Sequence, residues 1–265
     1  MIPQRSPWLY DWFVWYVKRY QLRKCFTAVR LDEEAPLPHV PDHLPMIVVL
    51  NHASWWDPLV CMVANELFPK RIGYAPIDMD MLKKYSIFGK LGFFGVEQGT
   101  LWGAREFLNI SEAILKLPQT GLWITAQGDF FDVRSRPIKL RGGMGYLLHR
   151  MPKAIVIPLA IEYTFWNEKT PEVLLRFGQA IETDGSSRRH SQWTTFMEEK
   201  LAQTMDELAQ HSIKRSPKGF KSLVEGKVGV GGIYDLWRGF TARLRGQRFS
   251  ARHDERNDEI PGTQP

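Results

Sequence analysis

Short apolar segments alternate with segments of helical periodicity between residues 46 and 209, and this alternation constrains the fold more than any other feature. Runs rich in Ile and Val, such as residues 46–50 and 154–163, predict buried strands. Apolar residues at helical spacing, as in residues 104–117 and 193–209, predict helices. Further strands are predicted at residues 71–75, 92–96, 121–126 and 173–177, and further helices at 58–68, 79–90 and 146–151. We therefore predict an α/β domain with a largely parallel or mixed central sheet flanked by helices.

The two ends of the 265-residue chain differ from its middle in charge. Residues 1–31 carry six Lys/Arg against one acidic residue, and residues 214–256 carry eleven against four, whereas residues 32–213 have a net charge of −4. Basic ends favour an anionic partner, either a nucleic acid or an anionic membrane surface. The two cysteines, Cys25 and Cys61, exclude a disulfide scaffold and fit a reducing compartment.

These patterns divide the chain into three predicted parts. Residues 1–35 are predicted to hold amphipathic, membrane-associating helices, residues 36–213 the α/β catalytic domain, and residues 214–265 a basic extension rich in glycine and aromatic residues with a disordered end. A membrane span needs about 20 apolar residues with few charges, and the apolar runs are shorter. The N-terminal segment also lacks the small-residue cleavage site of a signal peptide, so we expect a cytoplasmic protein.

A histidine and an aspartate follow the apolar strand predicted at residues 46–50. Asn51 and His52 come directly after it, and Asp57 and Pro58 begin the predicted helix. His52 thus lies in the turn at the carboxyl end of a strand, where open α/β sheets place ligand sites. A carboxylate that holds one imidazole nitrogen leaves the other free to take a proton. The alternative is structural: Asp57 is a helix N-cap, and Asn51 or Ser54 is a local turn residue.

These residues resemble the first motif of the glycerolipid acyltransferases, the family that contains 1-acylglycerol-3-phosphate acyltransferase. Residues 92–98, 123–129 and 156–161 resemble its second, third and fourth motifs, so the resemblance covers about residues 45–177. It implies transfer of an acyl chain from an acyl thioester, on CoA or on acyl carrier protein, to a hydroxyl of a lipid.

The resemblance also implies the roles of two residues. His52 would deprotonate the lipid hydroxyl, and Asp57 would orient His52 and support its charge. The hydroxyl would attack the thioester directly, so the resemblance implies no covalent enzyme intermediate. It implies no metal or cofactor either, and acyl-CoA or acyl carrier protein is a co-substrate.

The second and third motifs depart from the family pattern. Gln98 stands where the family has a phosphate-binding arginine, and Gln127, Gly128, Asp129 and Phe130 stand where it has Glu-Gly-Thr-Arg. We expect Gln98, Gln127 and Gly128 to contact the acceptor. Charge at the acceptor would be restored by arginines of the segment that follows, namely Arg134, Arg136 and Arg141. The acceptor is either a lysophospholipid such as 1-acylglycerol-3-phosphate or a lipid alcohol without phosphate, such as a glycolipid or a carotenoid derivative.

Two other classes of protein compete with the enzyme. A non-catalytic membrane-bound scaffold would explain the altered motifs, but His52 and Asp57 are both present and favour catalysis. A nucleic-acid-binding protein would explain the basic ends, but no RNA-binding motif accompanies them. We expect peripheral binding to the inner face of the cytoplasmic membrane through basic aromatic segments at both ends. Their rings are Trp8, Trp12, Phe13, Trp15 and Tyr16 at one end and Trp237 and Phe240 at the other.

Overall fold

Nine strands form one mixed sheet over residues 2–184 and 187–226, the part of the chain that the computed structural model describes. The strands are β1 (Ala28–Asp32), β2 (Met46–Leu50), β3 (Ile72–Asp78), β4 (Phe93–Val96), β5 (Thr120–Thr125), β6 (Ile155–Thr164), β7 (Glu172–Phe177), β8 (Ile181–Glu182) and β9 (Phe220–Glu225). Their order is β4-β3-β5-β2-β6-β7-β1-β9, with β8 paired to the start of β6. The strands from β4 to β6 are parallel, whereas β7 runs antiparallel to β6. The predicted α/β class and mixed sheet are therefore confirmed.

Helices cover both faces of this sheet. They are α1 (Pro7–Tyr16), a π-helical segment (Val17–Leu22), α2 (Arg23–Cys25), α3 (Asp57–Asn65), α4 (Met79–Lys84), α5 (Ile87–Lys90), α6 (Leu101–Leu115), α7 (Gly143–Arg150) and α8 (His190–Ser212). Within the described ranges, no helix has both the length and the apolar character needed to cross a membrane.

The apolar run of β2 is explained by burial on two sides. Ile47 and Val49 lie in a core with residues of α6, α7 and α8, whereas Met46, Val48 and Leu50 lie in a second core with residues of α3. Successive side chains of a strand point to opposite faces, so a strand covered on both faces is apolar throughout. The turn that follows β2 is thus held between two packed layers.

The N-terminal helix α1 packs against the rest of the protein on one side. Tyr10 and Val14 are buried in a cluster with Met62 of α3 and with Leu91 and Phe93 beside and within β4. The other side of α1 exposes the rings of Trp8, Trp12 and Trp15. The segment therefore has one face in the core and one aromatic face at the surface.

The structure corrects the sequence analysis at four elements. The helices predicted within residues 1–35 end at Cys25, and β1 follows, paired in parallel with β7. Two more strands, β8 and β9, were not predicted either, and β9 pairs antiparallel with β1, so the sheet extends beyond residues 36–213 at both ends. The helix predicted over residues 79–90 is two short helices, α4 and α5. The aromatic residues predicted to bind a membrane near Trp237 lie outside the described residues.

A buried ionic cluster fixes β1 to its neighbours. The carboxylate of Asp32 accepts hydrogen bonds from Arg176 Nη1 at 2.6 Å and from His211 Nδ1 at 2.8 Å. Arg176 also donates to Glu207 of α8 at 2.9 Å. Because the Asp32 side chain has no exposed surface, its charge depends on these partners, and they tie β1, β7 and α8 together.

Candidate active site

His52 and Asp57 face each other across the turn that joins β2 to α3. Their Nδ1 and Oδ2 atoms lie 2.7 Å apart, so the two side chains are in direct contact. A carboxylate can only accept a hydrogen bond, so the proton of a neutral imidazole lies on Nδ1 and the lone pair stays on Nε2. A histidine held in this tautomer is arranged to take a proton from a hydroxyl group.

The carboxylate of Asp57 is fully buried and accepts four hydrogen bonds. In addition to His52, the backbone amides of Ala53 and Ser54 donate to Oδ2 at 2.9 and 3.1 Å. The hydroxyl of Tyr163 donates to Oδ1 at 2.7 Å. A buried charge is stable only when such partners replace water, and here they also fix the orientation of the carboxylate towards the imidazole.

Tyr163 is the residue of this site that the sequence analysis missed. It lies in the last part of β6, far from Asp57 in sequence, and residues 163–166 alone predict no more than the end of a strand. Burial raises the pKa of Tyr163 well above its usual range, and the charge of Asp57 makes a smaller contribution in the same direction. The phenol therefore stays protonated and donates to Asp57. The signal in the sequence was the position of Tyr163 at the carboxyl end of a predicted strand, because His52 lies at the same edge of the sheet.

Two further side chains hold the turn that carries His52. Asn51 is buried and exchanges two hydrogen bonds with the main chain of Ile161, at 2.9 and 2.8 Å. The side-chain oxygen of Gln127, which follows β5, accepts from the backbone amide of His52 at 2.8 Å. Gln127 was predicted to contact the acceptor, and its oxygen instead binds the turn. The amide of Phe131 donates to the carbonyl of His52 at 2.8 Å, which completes the support.

A second group of predicted residues comes together around Arg141. Its Nη2 atom donates to Gln98 Oε1 and to Asp129 Oδ2, both at 3.1 Å. Gly128 has a φ of +82°, and a Cβ atom placed there would lie 1.9 Å from Nε of Arg141. A side chain at this position would strain the left-handed backbone and displace the guanidinium, so the site favours glycine.

The structure separates Arg134 and Arg136 from Arg141. Arg134 is exposed and pairs with Asp132 at 2.6 Å, and Arg136 pairs with Asp206 of α8. Neither lines the cavity described next, so of the three arginines predicted to restore charge, the structure brings Arg141 alone to it.

His52 and Arg141 line the same cavity, which has a volume of about 670 Å³. Most of its wall is apolar and comes from helices and strands on one half of the sheet. Examples are Phe13 of α1, Leu59 and Met62 of α3, Phe93 of β4 and Phe107 of α6. A large apolar cavity with a few polar groups is the usual form of a ligand site. The lining of this cavity extends from the end of β2 to the N-terminal helix α1.

The cavity wall also contains Cys61, and burial raises the pKa of its thiol well above the usual range, with a further contribution from Asp57. A protonated thiol is a weak nucleophile, which favours His52 as the reactive group of this wall. Among the described residues, no group of three or more His, Cys, Asp or Glu side chains is arranged to hold a metal ion.

Four chains among the solved structures match this protein. The crystal structure of PlsC, the 1-acyl-sn-glycerophosphate (LPA) acyltransferase from Thermotoga maritima, matches with a TM-score of 0.48 and 16% sequence identity, over 76% of this chain and 89% of that chain. No protein-family model matches the sequence, and no curated protein matches it.

Proposed function

We propose that this protein is an O-acyltransferase that moves a fatty acyl chain from an acyl thioester to a hydroxyl group of a lipid. The observation that carries the proposal is the 2.7 Å contact between His52 and a fully buried Asp57 in the wall of a large apolar cavity. A general base, a fixed carboxylate behind it and room for an aliphatic chain are the parts that such a transfer needs.

The reaction proceeds without a covalent intermediate between the acyl chain and the enzyme. His52 Nε2 takes the proton of the acceptor hydroxyl as its oxygen attacks the thioester carbonyl, and Asp57 stabilises the imidazolium that forms. The carbon–sulfur bond then breaks, and the thiol leaves with the proton that His52 returns. The products are an ester and a free thiol, on CoA or acyl carrier protein, and His52 is neutral again.

The exposed aromatic face of α1 supports a peripheral position on the inner face of the cytoplasmic membrane. Trp8 is 75% exposed, and Trp12 and Trp15 are about half exposed, whereas Tyr10 and Val14 on the opposite side of α1 are buried. The exposed bases that follow, Arg19 and Arg23, suit an anionic leaflet. Residues of α1 also line the cavity, so a lipid could pass from the bilayer towards His52 along this helix.

The test of the proposal is acyl transfer by the purified full-length protein. Acyl-CoA or acyl carrier protein thioesters are mixed with vesicles that contain a lipid acceptor, and both the free thiol and the acylated lipid are measured. We expect the two products in equal amounts with the wild type, and neither above background with His52→Ala. Thiol release that is unchanged in His52→Ala, or that yields no acylated lipid, would contradict the proposal.

A further inference from the structure

The charged side chains that line the cavity are mainly acidic. Among the described residues they are Asp78, Glu97, Asp129 and Arg141, so a single cation shares the wall with three carboxylates. A phosphomonoester carries about −1.5 to −2 charges near neutral pH, and its binding sites normally supply several cations or free backbone amides. This balance of charge opposes a phosphorylated headgroup.

Arg141 is also already engaged. Its Nη2 atom lies 3.1 Å from both Asp129 Oδ2 and Gln98 Oε1, and its Nε lies against the main chain of Gly128. Its guanidinium therefore already has a carboxylate partner, in a pair whose side chains are 45% and 69% exposed. A phosphate that approached Arg141 would meet the like charge of Asp129 at the same point.

We propose that the acceptor has an uncharged polyol headgroup, a glycerol or a sugar, and that Asp129 and Arg141 select it. This inference rests on the proposed acyltransferase function and specifies its substrate class. A hydroxyl group can donate to Asp129 and another can accept from Arg141 without separating the pair, whereas an ionised phosphate has few protons to donate. Phe130, whose ring centroid lies 4.4 Å from that of His52, offers an apolar face beside these polar groups for the carbons of the headgroup.

Acceptors that differ in charge test the inference directly. The full-length protein is assayed with palmitoyl-CoA and, in separate reactions, 1-acylglycerol, a long-chain alkyl glucoside and 1-acylglycerol-3-phosphate. We expect kcat/KM to be higher for at least one neutral acceptor than for the phosphate.

Asp129→Asn keeps the shape of the side chain but frees the charge of Arg141, so the preference for the neutral acceptor should fall about tenfold. Asp132→Asn removes a carboxylate of the same loop that does not line the cavity, and should leave the preference unchanged.

The outcomes separate the substrate class from the reaction. A wild type that prefers 1-acylglycerol-3-phosphate over both neutral acceptors would overturn the inference while leaving the acyltransferase function intact. An unchanged preference in Asp129→Asn would overturn the role of Asp129. If none of the three acceptors is acylated in a reaction that requires His52, the proposed function itself fails.

Discussion

Asp57 connects four groups from two distant parts of the chain. Three of its hydrogen bonds come from the turn that contains His52, Ala53 and Ser54, and the fourth comes from Tyr163. The sequence was sufficient to predict the local part of this arrangement, since the spacing of His52 and Asp57 allows contact across one turn. It was not sufficient to predict Tyr163, because that contact depends on how β6 lies against β2.

Tyr163→Phe tests whether the distant partner positions the pair. The variant removes the hydrogen bond to Asp57 Oδ1 but keeps the ring that packs against Phe26. We expect kcat to fall about threefold to tenfold with little change in KM, because a net hydrogen bond to a charged group contributes about 1.5–3 kcal/mol and only part of it bears on the orientation of His52.

A matched control makes this result specific. Tyr146→Phe removes a hydroxyl from a ring of α7 that stacks on His190 and does not line the cavity, and kcat should be unchanged. Equal kcat in Tyr163→Phe and wild type, with both folded, would show that Tyr163 has no positioning role.

At the scale of elements, strands with strong apolar runs were predictable, whereas β1 and β9 were not. β2 and β6 are buried on both faces and read as continuous apolar segments. β1 contains Arg30 and Asp32, whose charges are paired with Glu172 and Arg176 in the folded protein. Because these partners come from another strand, the sequence of β1 alone does not predict a buried strand. β9 is half exposed and lacks an apolar run, because it lies at the edge of the sheet.

The helix α1 lies within the N-terminal segment that was predicted to be helical, and its exposed face carries the membrane prediction. A combined variant, Trp8→Ser, Trp12→Ser and Trp15→Ser, removes the exposed rings and leaves the buried Val14 in place. We expect its binding to vesicles of phosphatidylglycerol and phosphatidylcholine to fall at least about tenfold, which corresponds to about 1.4 kcal/mol. Co-sedimentation at low and high salt measures this, and salt should weaken the binding of the wild type.

Point variants are preferable here to deletion of residues 1–30, which would remove part of β1 and the cavity wall. Ile213→Ser, which removes an exposed apolar side chain at the end of α8, is the control and should bind as the wild type does. Undiminished binding of the triple variant, or binding of the wild type to neutral vesicles as strong as to anionic ones, would contradict a role for α1 at the membrane.

At the scale of the whole molecule, the strand order assembles the site. β2 lies between β5 and β6, so the residues that follow β2 and β5 meet at one edge of the sheet, and the last part of β6 extends to the same place. This is how His52, Gln127 and Tyr163 come into one site although they are separated by up to 111 residues in sequence. The alternation of strands and helices predicted an edge of this kind. It did not predict the strand order, which depends on long-range pairing.

The positions of the charged side chains in the segment after β5 also depend on the whole structure. Arg134, Arg136 and Arg141 are close in sequence and form one predicted cluster, yet they face three different partners: Asp132, Asp206 and Asp129. Loop conformation, which the sequence pattern does not determine, decides which arginine reaches the cavity.

The central claim is that His52 and Asp57 act together as the base, and the most direct test is the rate of acyl transfer in His52→Ala, Asp57→Asn and the double variant. General-base catalysis contributes about 10²- to 10⁴-fold, so we expect kcat to fall about 10³-fold in His52→Ala and at least about 10²-fold in Asp57→Asn, with thermal unfolding used to verify that each variant is folded. Because the two side chains work as a unit, the double variant should be no slower than His52→Ala. Near-normal turnover in folded Asp57→Asn, or losses that multiply in the double variant, would contradict the claim.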